Sequence, residues 1–213
     1  MISKSEYEIP QYIPEIYSNT SQVFDSIIKA LAEGVTNRRH PFHTPVISTI
    51  NGDKPELRTV VLRDFNKDLM EILIHSDYRT GKVSQLKLNP NTSFLFYDSN
   101  SAVQVRARGI SFVHYTDDTA FERWQISKPA SRRCYLTTVD PGEEIPVPDS
   151  TLPADYKNIT PSLTESESGY KNFCVIRTVI NEIDWLYLHK SGNIRAAFKI
   201  KEGKLHHSSW LAP

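Results

Sequence analysis

Apolar residues recur at helical spacing near the start of the chain, where Val23, Phe24, Ile27, Ile28 and Leu31 share one face of the segment 20–35. Thr20 or Ser21 supplies an N-cap and Gly34 the exit, so the spacing predicts an amphipathic helix packed on the next layer. After the loop 37–44 the period shortens to that of strands. Residues 46–50 are strand-like, Asn51-Gly52 signals a tight hairpin turn, and 57–63 is the returning strand, delayed slightly by Pro55. A third strand follows at 69–75. A short helix at 79–88 is ended by Asn89-Pro90, because proline disfavours the helical conformation in the residue before it. Two more strands are predicted at 92–97 and 102–115. Thr116-Asp117-Asp118 then caps a helix carrying Phe121, Trp124 and Ile126, which ends ahead of Pro129, and a second helical segment follows.

Residues 139–168 break the pattern. They concentrate proline with acidic and hydroxyl residues and show no period, which predicts a long surface loop, about 139–170, serving as a lid or a dimer-contact arm. Strand periodicity returns at 172–179, 183–189, 194–200 and 205–211. Many short strands with a few helices predict a mainly β, α+β fold: a small antiparallel barrel with helical additions, in one domain spanning 1–213 behind an N-terminal arm, 1–19.

Composition narrows the function classes. Lys plus Arg equals Asp plus Glu at 25 each among 213 residues, so total charge draws the chain to neither nucleic acid nor an anionic membrane. Any anionic ligand therefore needs a local cluster of cations. No apolar run approaches a membrane span, and the start Met1-Ile2-Ser3-Lys4-Ser5-Glu6 lacks a secretory pattern; the expectation is a soluble, cytoplasmic protein. Cys134 and Cys174 are too few for a disulfide framework and are expected to be inert thiols. His75, His189, His206 and His207 are scattered without metal-ligand spacing, so no metal is expected.

Two clusters carry candidate chemistry. Arg58 and Arg63 lie five apart on one predicted strand, so alternation places them on opposite faces unless a bulge intervenes. They read either as solvated surface residues or as part of an anion site with Ser76, Thr80 and Lys82 near the start of the following helix. Free amides, hydroxyls and a cation there suit a phosphate, whereas Thr80 as a simple cap and Lys82 as a solvated side chain is the alternative. Lys128, Arg132 and Arg133 form a second cationic group, suited to a substrate phosphate or to ion pairs with acids of the next loop. Trp124 is either a pocket wall or plain core.

Taken in order, Arg58-Thr59-Val60-Val61-Leu62-Arg63, Ser76-Asp77-Tyr78-Arg79-Thr80-Gly81-Lys82, Asn89-Pro90, Val103-Gln104-Val105-Arg106 and Gly109 resemble the pyridoxamine 5′-phosphate oxidase family of FMN-binding split barrels. So do Trp185-Leu-Tyr-Leu-His189, Gly192-Asn-Ile-Arg195, Phe198 and the closing Trp210-Leu-Ala-Pro213. The resemblance runs from about residue 20 to the last residue, with nothing aligned at 139–170. It implies a split antiparallel β-barrel with FMN as cofactor, the flavin phosphate held by Arg58 and Lys82, and the ring alongside the strand backbone at 58–63. His75, Ser76, Thr80 and Gly81 complete the implied cofactor set, with Gln104 at the ring system. It further implies a homodimer with FMN at the subunit interface, so that Gln104, Tyr187 and Arg195 act on the flavin held mainly by the other subunit. No catalytic side chain is implied.

The chain departs from authentic oxidases of this family in three places. The segment Ser127-Lys128-Pro129-Ala130-Ser131-Arg132-Arg133-Cys134-Tyr135 stands where they carry an Arg-Pro motif and a Ser-Gln-Ile-Gly-Ala-Trp run. Gly192-Asn193-Ile194-Arg195 does not reproduce their late Arg-Leu-His element. Arg63 replaces a lysine, which assigns it to the substrate side or the flavin ring edge. The closer resemblance is to a divergent branch, with substrate contacts expected from Arg63, Trp124, Lys128, Arg132 and Arg133. Three functions follow from it: an FMN-dependent oxidase of a small amine or alcohol such as pyridoxamine or pyridoxine 5′-phosphate; a flavin reductase of another substrate; or a non-catalytic, stress-related FMN binder.

Overall fold

The computed structural model describes residues 11–213. The expected N-terminal arm falls partly outside that range. Its described part holds a single 3-10 turn, Glu15–Tyr17, whose Tyr17 ring packs on Trp185 and Tyr187. Helix α1, Thr20–Thr36, buries Val23, Ile27 and Leu31, the face its periodicity selects. The cap is Asn19 rather than Thr20 or Ser21: its side chain accepts from the Gln22 amide at 2.9 Å.

Among the described residues nine antiparallel strands make one sheet. They are β1 (Val46–Asn51), β2 (Lys54–Thr59), β3 (Leu62–Asn66), β4 (Glu71–Asp77), β5 (Asn91–Asp98), β6 (Val103–His114), β7 (Phe173–Tyr187), β8 (Ile194–Lys201) and β9 (Lys204–Leu211). The order is β2-β1-β5-β6-β7-β4-β3, with β8 also on β7 and β9 on β8. The expected mainly antiparallel, split-barrel architecture is present, and the sheet does not close.

Two strand expectations need correction. Residues 57–63 do not form one returning strand, because the ladder breaks at Val60-Val61: β2 pairs with β1, whereas β3 pairs with β4 on the far side of the sheet. Conversely, 172–179 and 183–189 are one long strand, β7. Its first half pairs with β4 and its second with β8, while β6 runs along nearly its whole length. The register along β6 slips between Arg108 and Gly109, where Asn181 bulges out, and this bulge lets one strand serve two partners.

The main core lies between α1 and the sheet, with Ile47, Leu62, Ile74, Phe94, Phe96, Val105, Ile183, Trp185 and Phe198 buried. A second, smaller core gathers Leu73, Trp124, Tyr135, Phe173 and Val175. It is covered by α3 (Asp118–Gln125), capped by Asp117, by the single turn α4 (Pro129–Arg132), and by α5 (Leu163–Ser166), which carries a Ser162/Glu165 capping box. The stretch 139–170 is thus not one open loop: its second half is helical turns tied to this core. Among the described residues no helix is long and apolar enough to cross a membrane.

Candidate functional site

The break between β2 and β3 builds the floor of a cavity of about 560 Å³. Because the chain changes partner strands at Val60-Val61, strict alternation is lost. Arg58 and Arg63 therefore both line this cavity instead of facing opposite ways, as an unbroken strand would require. Thr59, Val60, Val61, His75, Ser76, Thr80 and Lys82 line it with them. Leu62 turns into the main core and Gly81 lies outside the lining, so neither contributes a side-chain surface there.

Local geometry fixes each floor residue. Helix α2 (Gly81–Leu88) has Thr80 at its N-cap position, but Thr80 Oγ1 donates to the Asp77 carbonyl at 2.8 Å, and no side chain caps the first turn. The positive end of α2 thus lies beside the cavity, which Thr80 and Lys82 line, without a side-chain acceptor. Lys82 Nζ donates to Ser76 Oγ at 2.8 Å and Thr80 Oγ1 at 3.2 Å, and among the described residues it has no carboxylate partner. Burial pushes its pKa down, with Arg58 adding to the effect. An ammonium held by two neutral hydroxyls and partly removed from water lacks a counter-charge, which is the condition a bound phosphate relieves.

Arg58 is held from three elements. Its guanidinium donates to Thr49 Oγ1 on β1, to the Glu56 carboxylate at 2.9 Å, and to Gln85 Oε1 of α2 at 3.4 Å. Arg63 forms no ion pair among the described residues. His75 is driven down to about 3, first by burial and then by the charges of Arg63 and Arg123, so the ring is neutral and adds no cation to the floor. Cys174 is buried behind the floor, its thiol pushed up to about 12 by burial, whereas Cys134 is exposed on the cavity wall.

Another wall is formed by residues that sequence reasoning did not assign. Thr137, Val139, Asp140, Glu143, Ile145 and Asp149 line the cavity together with the floor. Arg79 clamps this wall in place. It grips Asp77 through Nε and Nη2, at 3.0 and 2.6 Å, and reaches Thr137 Oγ1 and Asp140 Oδ1, each at 2.9 Å. The proline and acidic content of 139–151 marked a loop and nothing more, since no period shows which surface an irregular segment packs on.

The substrate-side expectations are corrected. Arg132 is 1% exposed and belongs to the second core, not to a phosphate site. Its guanidinium lies over the Trp124 ring, donates to the Trp124 carbonyl at 2.7 Å and pairs with Glu167. Trp124 is equally buried and donates its indole N–H to Glu167 at 3.0 Å, so it is core and not a pocket wall. Lys128 and Arg133 do not line the cavity, and the three cations never form a cluster there.

Gln104, Tyr187 and Arg195 lie on β6, β7 and β8, away from this cavity in the same chain. Gln104 and Arg195 flank Leu186 on adjacent strands, and Tyr187 is largely buried beside Tyr17 and Trp185. Arg195 and Arg106 share the buried carboxylate of Asp184, at 2.7 and 2.8 Å.

Residues 22–115, which hold the whole cavity floor, match the family model described as pyridoxamine 5′-phosphate oxidase, FMN-binding domain. The pyridoxine/pyridoxamine 5′-phosphate oxidase 2 of Arabidopsis thaliana is 25% identical over 146 residues, 65% of this chain and 69% of that protein. Two solved structures share the fold. A pyridoxamine 5′-phosphate oxidase-related, FMN binding protein from Nostoc punctiforme has a TM-score of 0.70 at 21% identity, covering 89% of this chain and 96% of its own. PhzG from Burkholderia lata, solved with tetrahydrophenazine-1-carboxylic acid, has a TM-score of 0.67 at 12% identity, covering 94% and 97%. The resemblance read from the motifs therefore holds: the chain is similar to the pyridoxamine 5′-phosphate oxidase-like FMN-binding split-barrel proteins, in sequence over its first half and in fold over most of its length.

Proposed function

We propose that this chain is an FMN-dependent oxidoreductase acting on a small amine or alcohol, with the flavin phosphate on the floor of the 560 Å³ cavity. The observation that carries the reading is Lys82, a partly buried ammonium with hydroxyl partners only, beside Arg58 and the uncapped first turn of α2. All three lie within the segment that matches an FMN-binding domain. In this reading Arg58 and Lys82 neutralise the phosphate, and the hydroxyls of Ser76 and Thr80 turn from the Asp77 carbonyl to donate hydrogen bonds to it. Thr49, Glu56 and Gln85 hold the Arg58 fork in position. The bound flavin supplies the redox chemistry by accepting a hydride equivalent, so no side-chain nucleophile is needed. The chain supplies orientation and charge, and the 137–151 wall limits access of water.

A second reading, a flavin reductase of another substrate or a non-catalytic FMN binder, is favoured by one observation: Arg132, one of the three cations expected at a substrate phosphate, is locked in the core. One experiment separates these functions. Protein purified without added cofactor is titrated with FMN by absorbance and fluorescence, then assayed for peroxide release with amines and alcohols and for bleaching by reduced nicotinamides. Saturable FMN binding with peroxide release is the expected result. Bleaching by a reduced nicotinamide without peroxide release from amines or alcohols establishes the reductase, and flavin binding without turnover establishes the non-catalytic binder. Failure to take up FMN overturns all of them.

A further inference from the structure

The charges of the cavity are segregated. Its cations, Arg58, Arg63 and Lys82, belong to the floor, where the one acid of the lining, Asp77, is already paired with Arg79, while Asp140, Glu143 and Asp149 line the cavity from a separate segment. That segment is an arm, residues 138–151, which contains four acidic residues and no lysine or arginine. The arm is tied at its base, where the amide and hydroxyl of Thr138 both donate to the Thr151 carbonyl at 2.9 and 3.1 Å. Arg79 clamps Asp140, and Lys157 pairs with Asp149 at 2.7 Å. Glu143 forms no ion pair among the described residues.

A flavin phosphate on the floor would use the charges of Arg58 and Lys82. A substrate carrying its own phosphate would then face the arm carboxylates, with Arg63 as the one further cation lining the cavity. The arm carboxylates are exposed, so water weakens their repulsion of a like charge, but about 1 kcal/mol at contact distance still acts as selection. We propose that the 138–151 arm restricts the substrate to a small, non-phosphorylated molecule that is cationic or uncharged, a primary amine being the best match to Glu143. The proposal rests on the reading of the floor as the FMN phosphate site.

The test uses FMN-loaded protein and two probes that differ only by a phosphate, pyridoxamine and pyridoxamine 5′-phosphate, each titrated by the change in flavin absorbance. Pyridoxamine is expected to bind at least about tenfold more tightly, and Glu143→Gln to shrink that preference about fivefold, the effect of removing one nearby charge. Equal or tighter binding of the phosphorylated probe, or no binding of either, overturns the proposal. An unchanged preference in Glu143→Gln overturns the role of the arm. Protein that takes up no FMN instead fails the reading of the floor. On flavin-free protein the phosphorylated probe is expected to be preferred, because the floor cations are then available to it, and calorimetry reads that reversal without turnover.

Discussion

At the scale of single residues, the cavity floor turns on how few of its charges are already spent. Lys82 has no carboxylate partner among the described residues, and Arg58 shares its fork with a half-exposed Glu56. Arg58→Ala and Lys82→Ala are each expected to weaken FMN binding by roughly ten- to a hundredfold, since a charge-assisted hydrogen bond contributes about 1.5 to 3 kcal/mol. Fluorescence titration checks this, and unchanged affinity in both variants would remove the phosphate assignment. His75 gives a pH signature. Its folded pKa, about 3, lies below the ordinary value of 6.5, so the unfolded chain binds the extra proton between those values. Stability from this group is complete above about pH 6.5 and is lost as pH falls towards 3, with a slope of at most about 1.4 kcal/mol per pH unit. His75→Gln is expected to flatten the wild-type decline of the urea midpoint across that window. The order of motifs pairs Arg58 with Lys82, and the structure places both in one cavity. The freedom of Lys82 was not legible in the sequence, because a charged residue after a helix cap reads equally well as solvated.

At the scale of elements, sequence and structure part where pairing, not periodicity, decides. Val23, Ile27 and Leu31 fixed α1 because a helix carries its own period. Leu57 to Arg63 reads as one strand because Val60 and Val61 are good strand formers, yet β2 and β3 take partners on opposite sides of the sheet, and only the assembled sheet reveals the break. Arg132 shows a related limit: spacing leaves open a substrate phosphate or an ion pair with an acid of the next loop, and only the assembled fold, through Glu167, selects the ion pair and buries it. Arg132→Met is therefore expected to lower stability by about 2 to 3 kcal/mol, through lost hydrogen bonds, while shifting FMN affinity less than about twofold. A large affinity loss without destabilisation would restore Arg132 to the ligand site. The bulge at Asn181, opposite Gly109, gives a second check. A Cβ at Gly109 would lie 2.1 Å from the Val179 carbonyl oxygen, against backbone that cannot swing aside. Gly109→Ala is expected to cost at least about 3 kcal/mol in chemical denaturation, by forcing the β6–β7 ladder apart.

At the scale of the whole molecule, the implied cofactor residues fall in two places. Arg58, Arg63 and Lys82 share one cavity, whereas Gln104 and Arg195 sit on β6 and β8, outside its lining. The resemblance assigns both sets to one flavin, drawn from two copies of the chain. The proposal of an FMN-dependent oxidoreductase therefore carries a homodimer with it, each site drawing Arg58 and Lys82 from one subunit and Arg195 from the other. Asp184 pairs with Arg195 within the chain, and it retains Arg106 as a partner when Arg195 is replaced, so Arg195→Ala is expected to fold. Complementation then reads the geometry directly. Arg58→Ala and Arg195→Ala are each expected to bind FMN poorly alone. When the two are unfolded together and refolded, half the dimers are mixed, and each mixed dimer carries one site with both arginines intact and one with neither. About a quarter of all sites should regain wild-type affinity, the fraction fixed by a two-fold symmetric pairing. Recovery of none, with both variants folded and sedimenting at twice the 24.4 kDa chain mass, would place Arg195 outside the flavin site. Sedimentation of the wild type as a monomer that still binds FMN would remove the shared site altogether and leave the floor cavity and its acidic arm as a site complete within one chain.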